Sequence, residues 1–561
     1  MSDFGHGSVG TREQAFTTLL DLREEGYPPH KLVELAAKIK AEVDTVKDGP
    51  DPEENLWVPA GYTYFGQFID HDLTFDNTSS LNPADAGEQD RLPSNLRTPR
   101  FDLDSLYGDG PDAQPFLYAE DGASLLFKDN HENQSQTTYE QATQDLLRSP
   151  NGRAIIGDKR NDENSIICQI QLAFVQYHNA VVKKLRSDDG KLTGTALFNQ
   201  ARNEVRWTYQ KLVIEDFLPR IVKAEVLADL QEATTPDDRA DLYGLYTEDK
   251  RQNLPREFVV AAYRFGHSGV RTGYRLNKEK RFNIFPSSDD PKPDDDSLLG
   301  FEPLPKTHVI DDWGRFFPNT KPGVFPTELR DKAADETCRP EVRLQFAYKI
   351  DTTLVDPLGV LPPKVLPTSA TVGGLVKEVE DTISPDHLPD EVAHPPRPSL
   401  ALLNLLRGNI YKVQGGQKIA NVLQENYFPV ETLEPKYLCT RNAVDGKDGF
   451  FKFEEIDSTL QIDTPLWFYI LAEGQASVVD AIKLDKDSTF NEEQLLQGDG
   501  AKTQLGWVGG RIVAEVFYGL LDSDSESYFN AAPEYWEPML GGNREVILAN
   551  LLKFAGLTVG N

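Results

Sequence analysis

The segment Ser165–Leu185, SIICQIQLAFVQYHNAVVKKL, is apolar on nearly every side when it is drawn as a helix. A helix that is hydrophobic all round has to be enclosed by other elements, so this segment predicts a buried helix. Other segments show helical periodicity, whereas the short alternating patterns typical of strands are few. The other helical segments are Asn199–Val222, Glu257–Leu276, Ser399–Leu406, Gly416–Leu423, Leu466–Val479 and Gly509–Leu521. We therefore predict a mainly α fold with long loops and little β structure.

The chain has 561 residues, of which 39% are hydrophobic, which is ample for a sizeable core. At roughly 150 residues per domain, this length allows several domains or one large helical body. An acidic loop at 287–297 and a Pro-rich segment at 361–399 interrupt the helical pattern. The second could be a linker or an excursion over one body. We expect an N-terminal extension at 1–55 and a single domain at 56–561 that contains both interruptions.

The charge of the chain limits its partners. There are 58 Lys and Arg residues against 90 Asp and Glu residues, which gives a formal net charge of −32. Such a surface repels phosphate backbones and anionic membranes, so we expect no nucleic-acid partner. No stretch approaches the roughly 18 consecutive apolar residues of a membrane-spanning helix.

Cysteine content and the N-terminus bear on the compartment. Three cysteines, Cys168, Cys338 and Cys439, allow at most one disulfide, which is typical of a reducing environment. The N-terminus, MSDFGHGSVGTREQ, has no basic region followed by an apolar run, so no secretory signal is readable. We expect a cytoplasmic protein or one secreted without a readable signal; the oligomeric state stays open.

The segment Gly61–Asp76, GYTYFGQFIDHDLTFD, places a histidine between two aspartates, Asp70-His71-Asp72, within an apolar frame. One interpretation is that the aromatic and aliphatic residues form a buried helix face and the acids are merely solvated. Three polar pairs elsewhere favour a functional site, because residues spaced i, i+3 share a helix face and can address one partner. The pairs are Arg160 and Glu163, Arg264 and His267, and Asn404 and Arg407.

Five motifs in this order resemble the animal-type haem peroxidases of the peroxidase–cyclooxygenase superfamily. The motifs are FGQFIDHDLTF, RTPRFDLDSLYG, GDKRNDEN, YRFGH and LNLLRGN. The resemblance runs from about Gly61 to Leu423 and weakens towards Leu521. It implies a haem peroxidase fold and an enzyme that uses hydrogen peroxide to oxidise small organic or anionic donors through a ferryl intermediate.

The resemblance also implies a role for each matching residue. On the distal side of the haem, Gln67, His71 and Arg160 match the catalytic set. On the proximal side, His267 matches the ligand of the haem iron and Asn404 its hydrogen-bond partner. Arg264 and Arg407 match residues near the haem propionates. Asp70 and Glu163 match the carboxylates that esterify haem in mammalian members, so the cofactor is b-type haem or an ester-linked derivative.

Calcium is the second cofactor that the resemblance implies. Its matching ligands are Asp72, Thr98, Arg100 through its carbonyl, Asp102 and Asp104. Residues 98, 100, 102 and 104 alternate, so an extended loop would present them along one edge. Hydroxyl, carbonyl and carboxylate oxygens are the hard ligands that calcium prefers. The alternative is an ordinary acidic turn.

The chemistry of these residue types agrees with the implied reaction. A neutral histidine can take a proton from hydrogen peroxide and return it to the leaving oxygen. A guanidinium stays charged at any working pH and stabilises the separating O–O bond. A hydrogen bond to the second nitrogen of the axial histidine makes that histidine a stronger donor to iron.

Two features separate the chain from other members of the superfamily. Asn164 follows Glu163, where a mammalian member has a methionine bonded to haem through sulfur, and the only methionines are Met1 and Met539. Related fatty-acid dioxygenases carry a radical-forming tyrosine three residues before the proximal histidine. Arg264 occupies that position here, and Tyr263, one residue off, would be rotated by about 100° around a helix and away from the site. This favours a peroxidase; the alternatives are a fatty-acid dioxygenase or a non-catalytic haem- or calcium-binding protein.

Overall fold

The structure is a computed structural model. It describes residues 14–39, 51–75, 94–95, 97–129, 142–251, 253–286, 297–323, 339–359, 361, 399–444, 447, 449–482, 489–491, 494–495 and 502–560. The predicted acidic loop at 287–297 and Pro-rich segment at 361–399 lie outside the described residues, except for Ser297, Leu361 and Ser399.

Helices dominate the described chain, which confirms the predicted mainly α fold class. The longer helices are α1 (Pro29–Ile39), α2 (Gly61–Leu73), α4 (Ser165–Asp188), α5 (Gly194–Leu212), α7 (Ala224–Glu232), α10 (Leu400–Ile410), α11 (Gly416–Glu425), α13 (Leu466–Ile482) and α14 (Trp507–Ser523). The shorter ones are α3 (Asp104–Tyr107), α6 (Leu218–Ile221), α8 (Pro236–Ala240), α9 (Arg256–Val260), α12 (Ser458–Ile462), α15 (Tyr528–Ala531) and α16 (Leu548–Phe554). Helix α5 passes into α6 through a π-helical turn at Val213–Phe217.

The strands are short and antiparallel, and they form small sheets at the edges of the helical body. They are β1 (Gln14–Ala15), β2 (Glu54–Pro59), β3 (Ser94–Asn95), β4 (Phe127–Asp129), β5 (Gln144–Leu146), β6 (Gly273–Arg275), β7 (Arg281–Asn283), β8 (Phe346–Tyr348), β9 (Cys439–Ala443), β10 (Phe450–Glu455) and β11 (Phe490–Asn491). Strand β2 pairs with β8, and β10 lies between β9 and β11. The β2–β8 pair brings residues 287 to 294 positions apart in the chain together beside α2.

Helix α4 is the buried helix that its all-round apolar surface predicts, and it contacts α2, α5 and α16. Between α2, α4 and α5, the ring of Phe68 stacks on that of Phe174 at 4.7 Å between centroids, and Tyr209 meets Phe174 edge-on at 5.9 Å. Such contacts add to the apolar area that each ring removes from water. One large cluster of buried side chains continues from here to Phe16 and Leu32, so the described part of residues 1–55 shares the same core.

The prediction of one continuous helix over Glu257–Leu276 is wrong. Helix α9 ends at Val260, a 3₁₀ helix follows at Ala262–His267, and the chain then enters β6. The apolar spacing is present, but Gly266 and Gly269 weaken a long helix. A side chain at Gly269 would come within 3.2 Å of the Thr63 hydroxyl, so the glycine lets this segment approach α2 closely. Helices α13 and α14 pack against the other side of the 3₁₀ helix.

Within the described ranges, no helix combines the length and the apolar character that crossing a bilayer requires.

Candidate active site

One cavity brings together most of the polar residues that the sequence singles out. It has a volume of about 460 Å³ and lies between α2, the 3₁₀ helix Lys159–Asp162, the 3₁₀ helix Ala262–His267 and α10. Its predicted site residues are Gln67, Asp70, His71, Arg160, Glu163, Arg264, His267 and Arg407. Asn404 lies behind His267, and the predicted calcium ligands form a separate cluster.

His71 is held in one tautomer by a chain of hydrogen bonds. Its Nδ1 lies 2.7 Å from Oδ1 of Asn161, and the Asn161 amide nitrogen donates to Oε1 of Gln171 at 2.8 Å. Because the Asn161 oxygen can only accept, Nδ1 carries the proton and Nε2 keeps its lone pair. Burial, reinforced by the charge of Arg160, lowers the pKa of His71 to about 4. The imidazole is therefore neutral near pH 7 and ready to accept a proton at Nε2.

Arg160 is anchored at the C-terminal end of α2. Its Nη2 donates to the carbonyl of His71 at 3.1 Å and to that of Thr74, and its Nε and Nη2 bind the buried carboxylate of Asp158. Carbonyls at a helix C-terminus carry partial negative charge, which favours a cation there. Its Nη1 makes no hydrogen bond within the described part of the chain, so it can donate to a ligand in the cavity.

Two carboxylates line the same side of the cavity. Glu163 accepts a hydrogen bond from the Gln67 amide, and burial raises the pKa of Glu163 to about 7, against the opposing effect of Arg160. Asp70 accepts a hydrogen bond from the Thr74 hydroxyl at 3.2 Å. Arg160 and Glu163 both line the cavity, as their i, i+3 spacing predicts, although the local helix is 3₁₀ and ends at Asp162.

His267 is paired with Asn404, the partner that the resemblance implies. The amide nitrogen of Asn404 lies 2.8 Å from His267 Nδ1, while its oxygen is buried without a hydrogen-bond partner among the described residues. Turning the amide by 180° exchanges these atoms, so the oxygen accepts from Nδ1–H and no buried acceptor is left unpaired. In that arrangement Nε2 of His267 offers its lone pair to the cavity, as metal ligation requires.

Two arginines surround His267 with positive charge. Burial, together with Arg264 and Arg407, lowers the pKa of His267 to about 3. Arg264 precedes His267 by one turn of the 3₁₀ helix, and its Nε donates to the carbonyl of Val259 at 3.0 Å. Arg407 lies one turn after Asn404 on α10, and its Nε is buried without a partner in the described chain. The pair can receive an anionic group in the cavity.

Tyr263 also lines the cavity, so the prediction that it is rotated away from the site is wrong. Each of residues 263–267 lines the cavity, so it reaches more than one face of the 3₁₀ helix that they form. The phenol donates to the carbonyl of Gly66 on α2 at 3.1 Å. Burial, with a smaller contribution from the charge of Asp70, raises the pKa of Tyr263 well above its usual value.

Three of the predicted calcium ligands meet on the other side of α2. One carboxylate oxygen from each of Asp72, Asp102 and Asp104 lies within 4.8 Å of the other two. Asp72 Oδ2 is buried without a hydrogen-bond partner in the described chain. Burial raises the pKa of Asp72 well above its usual value, and the nearby charges of Asp102 and Asp104 raise it further. Two buried carboxylates and a half-buried one this close repel one another, and a divalent cation would offset that repulsion.

The loop around this cluster follows the predicted alternation only in part. Thr98 donates from its hydroxyl to Asp102 Oδ2 at 2.6 Å, which keeps it beside the carboxylates. Leu103 adopts a left-handed conformation, with φ of 57°, and so turns the chain between Asp102 and α3. The Arg100 side chain is half exposed and lies 3.7 Å from Asp524, away from the cluster. Arg100 can therefore contribute only its backbone.

Sequence reasoning missed four residues that shape the site. They are Arg97, Asp158, Asn161 and Tyr263. Asp158 and Asn161 flank Arg160 within the quoted motif GDKRNDEN, so their proximity was a usable signal. Arg97 begins the quoted motif RTPRFDLDSLYG, but its contact with Asp158 spans 61 positions of sequence, which motif spacing does not reveal.

Comparison with known proteins finds one family model and several distant relatives that match part of the chain. Residues 78–292 match the sequence model of the animal haem peroxidase family. This range includes Arg160, Glu163, Arg264 and His267 but begins after His71. Among curated relatives, a dual oxidase from Drosophila melanogaster is 24% identical over 141 residues, which is 25% of this chain and 8% of the relative. A peroxidase-like protein from Margaritifera margaritifera is 30% identical over 115 residues, which is 20% of this chain and 14% of the relative.

A third relative belongs to another activity class. The alpha-dioxygenase PIOX from Pisum sativum is 28% identical over 177 residues, which is 31% of this chain and 22% of the relative. The matches therefore span small parts of these longer proteins.

The fold of nearly the whole chain resembles that of a solved peroxidase structure. Peroxidase A from Dictyostelium discoideum superposes with a TM-score of 0.55 at 14% identity, covering 98% of this chain and 94% of that one. The chain therefore resembles the animal haem peroxidase family in sequence over residues 78–292, and it shares its helical fold with Peroxidase A.

Proposed function

We propose that the protein is a haem-dependent peroxidase that uses hydrogen peroxide to oxidise small organic or anionic donors. The observation that carries this proposal is the cavity lined by two histidines, each held at Nδ1 by an asparagine. His71 is hydrogen-bonded to Asn161, and His267 lies against Asn404. A neutral imidazole held in this way can accept a proton or bind a metal ion through Nε2, and the two histidines would take one role each.

The residues of the cavity suit haem, the cofactor that the family implies. His267 Nε2 would bind the iron, and the otherwise unpaired oxygen of Asn404 would accept the proton on Nδ1. Arg264 and Arg407 would bind the propionates, which would give the buried Nε of Arg407 a negative partner. Haem supplies, when bound, an iron centre that accepts the peroxide and is reduced again by small donors.

The distal residues would divide the work on peroxide between them. His71 Nε2 would take the proton from the attacking oxygen and return it to the leaving oxygen, a step typically worth about 10²–10⁴-fold in rate. Arg160 would donate from its free Nη1 to the oxygen on which negative charge develops. Removing one such donor typically costs about 10²–10³-fold. Gln67 would hold Glu163 and orient water at the edge of the site.

Calcium is the cation that we propose for the cluster of Asp72, Asp102 and Asp104, with Thr98 and the carbonyl of Arg100 as further ligands. The support is the buried, unpaired Asp72 Oδ2 among three carboxylates. All the candidate ligands are oxygens, as calcium prefers. Because Asp72 directly follows His71, the ion would fix the C-terminal part of α2.

Asp70 and Glu163 are the proposed attachment points for haem esters, since both line the cavity. Acid–butanone extraction after several peroxide cycles should leave part of the haem with the protein. Retention should decrease in Asp70→Val and in Glu163→Gln, each of which removes one bond. Complete release of unmodified haem from the wild-type protein would show that neither carboxylate forms an ester.

The decisive test is a visible spectrum of the haem-reconstituted protein followed by one addition of peroxide. We expect one haem per chain and a rapid spectral change on mixing. His267→Ala should lose most of its haem, because the axial ligand is gone, whereas His71→Ala should retain haem and react about 10²-fold or more slowly. A His267→Ala protein with normal haem content would contradict the assignment.

A second candidate function, fatty-acid dioxygenation, is favoured by one observation. Tyr263 lines the cavity and lies against the carbonyl of Gly66, and one relative is an alpha-dioxygenase. Oxygen uptake with a saturated fatty acid tests this function. Activity that is lost in Tyr263→Phe while the peroxide reaction stays intact would support it. Absence of uptake in the wild-type protein would exclude it.

A further inference from the structure

Arg160 is held by a partner that is itself fixed on two sides. The Asp158 carboxylate is fully enclosed, with a side-chain exposure of 0%. Its Oδ1 accepts from the backbone nitrogen and Nε of Arg160, and its Oδ2 accepts from Arg160 Nη2 at 2.8 Å and from Arg97 Nη2 at 2.7 Å. A single carboxylate thus pairs with two guanidiniums.

Arg97 continues this chain to the carboxylate cluster. Its Nη1 donates to Asp104 Oδ1 at 2.8 Å, and its Nη2 also donates to the carbonyl of Gly157 at 3.0 Å. The ring of Phe75 lies between the two arginines, 5.6 Å from the guanidinium carbon of Arg97 and 4.8 Å from that of Arg160. Four groups of alternating charge therefore run from Asp104 to the cavity through Arg97, Asp158 and Arg160.

We propose that Asp158 is a positioning residue for Arg160 and that Arg97 links it to the carboxylate cluster, so that a cation bound there orients the distal guanidinium. The inference rests on the proposed function. The cation and Arg97 share the Asp104 carboxylate, so loss of the cation changes how strongly Asp104 holds Arg97. Arg97 is the second arginine that binds Asp158, so a change in its hold on Asp158 alters the direction in which Arg160 Nη1 points. Interactions within one buried charge network are coupled in this way.

Asp162 provides a matched control for Asp158. Both aspartates belong to the motif around Arg160, both are buried, and both pair with an arginine. Asp162, however, binds Arg148, at 2.8 Å from both carboxylate oxygens, and not Arg160. Asp158→Asn and Asp162→Asn therefore remove the same charge from the same short segment, but only the first disturbs the distal arginine.

The first measurement is fluoride binding to the ferric haem protein. Fluoride is a small anion that accepts a hydrogen bond from a guanidinium beside the iron. We expect Asp158→Asn to weaken fluoride binding and to slow the peroxide reaction by about 10–100-fold, as removal of supporting partners typically does. Asp162→Asn should stay within about twofold of the wild type. Equal fluoride affinity in Asp158→Asn and the wild type would overturn the positioning role.

The second measurement tests the link to the cation. Chelation of calcium should weaken fluoride binding in the wild type by about fivefold or more, the usual scale of coupling between sites. In Arg97→Gln, chelation should have no further effect, because the link is broken. The same dependence on calcium in both proteins would overturn the role of Arg97.

The two proposals fail in distinguishable ways. If the wild-type protein takes up no haem, the proposed function fails, and calcium calorimetry on the haem-free protein tests the link. Because the two sites are coupled, Asp158→Asn and Arg97→Gln should bind calcium with an affinity that differs from that of Asp162→Asn. Equal calcium affinities, or no binding in the wild type, would overturn the link. If Asp158→Asn does not fold, Arg97→Gln and Arg97→Lys carry the same test.

Discussion

His71 can act as a base only while its Nε2 is unprotonated, and the hydrogen bond from Nδ1 to Asn161 favours that tautomer. The bond is buried and is continued by Gln171, so no water competes for it. In the proposed reaction, Asn161 would thus affect the rate of peroxide cleavage without touching the reacting atoms. The same logic applies at His267, where Asn404 orients the ring from behind the cavity.

Asn161→Ala should slow the reaction with peroxide by about 10–100-fold, because the imidazole loses its fixed tautomer and orientation. Haem content should not change, since the proximal residues are untouched. Stopped-flow mixing with peroxide measures the rate. Asn179→Ala is the control: its amide makes two hydrogen bonds to the backbone of Leu125, far along α4 from the cavity. If both variants react at the wild-type rate, Asn161 has no role in catalysis.

Motif spacing predicted which residues line the cavity, but it could not predict their hydrogen bonds. Gln67, His71, Arg160, Glu163, Arg264, His267 and Arg407 line one cavity, as the resemblance and the pairing at one helical turn suggested. The partner of His71 depends on how the Lys159–Asp162 turn folds against α2. Tyr263 lines the cavity because the cavity reaches all of residues 263–267, which depends on how their 3₁₀ helix packs. Neither is encoded in spacing alone.

At the scale of elements, apolar periodicity predicted a helix correctly wherever the buried surface of the helix follows the same spacing. Helices α4, α10, α11, α13 and α14 appear where predicted, because a continuous apolar surface is buried along each of them. It failed over Glu257–Leu276, where the chain changes from α-helix to 3₁₀ helix to strand while its apolar residues remain buried. Close approach to α2 at Gly269 decides that geometry, and a helical pattern cannot reveal it.

Helix α4 carries a buried histidine that makes stability depend on pH. His178 Nε2 lies 2.8 Å from the carbonyl of Ala123, and Nδ1 lies 3.0 Å from the Tyr107 hydroxyl. Burial lowers the pKa of His178 to about 4, against the opposing effects of Ala123 and Asp121. The unfolded chain, with a pKa of about 6.5, binds the proton more readily, so stability falls as pH decreases from about 6.5 to about 4.

His178→Gln should remove this part of the acid sensitivity. At about 1.4 kcal/mol per pH unit below 6.5, the His178 contribution to the unfolding free energy falls by about 2 kcal/mol between pH 7 and pH 5. Urea unfolding of the haem-free protein at both pH values measures the difference. The variant should be less stable than the wild type at pH 7 but lose less on acidification. His30→Gln, at an exposed position on α1, is the control and should match the wild type.

At the scale of the whole molecule, the cation cluster joins parts of the chain that local sequence does not connect. Asp72 comes from α2, Asp102 and Asp104 come from the loop leading into α3, and Ser105 donates to Asp72 Oδ1 at 3.4 Å. A cation would hold these segments together and leave no buried carboxylate oxygen unpaired. Because the unfolded chain cannot hold the three groups in place, cation binding adds directly to folding stability.

Calcium should therefore raise the melting temperature of the wild-type protein, and chelation should lower it. At a free concentration 100 times the dissociation constant, a ligand of the folded state adds about 2.7 kcal/mol to stability. Asp102→Asn should lose this response, because it removes a ligand charge while the fold retains its other contacts. Asp121→Asn is the matched control, since its carboxylate holds a turn and Arg186 outside the cluster. It should lower the melting temperature by the same amount with and without calcium. Scanning calorimetry of the haem-free protein separates the two responses. A wild-type melting temperature that does not change with calcium would contradict cation binding at the proposed site.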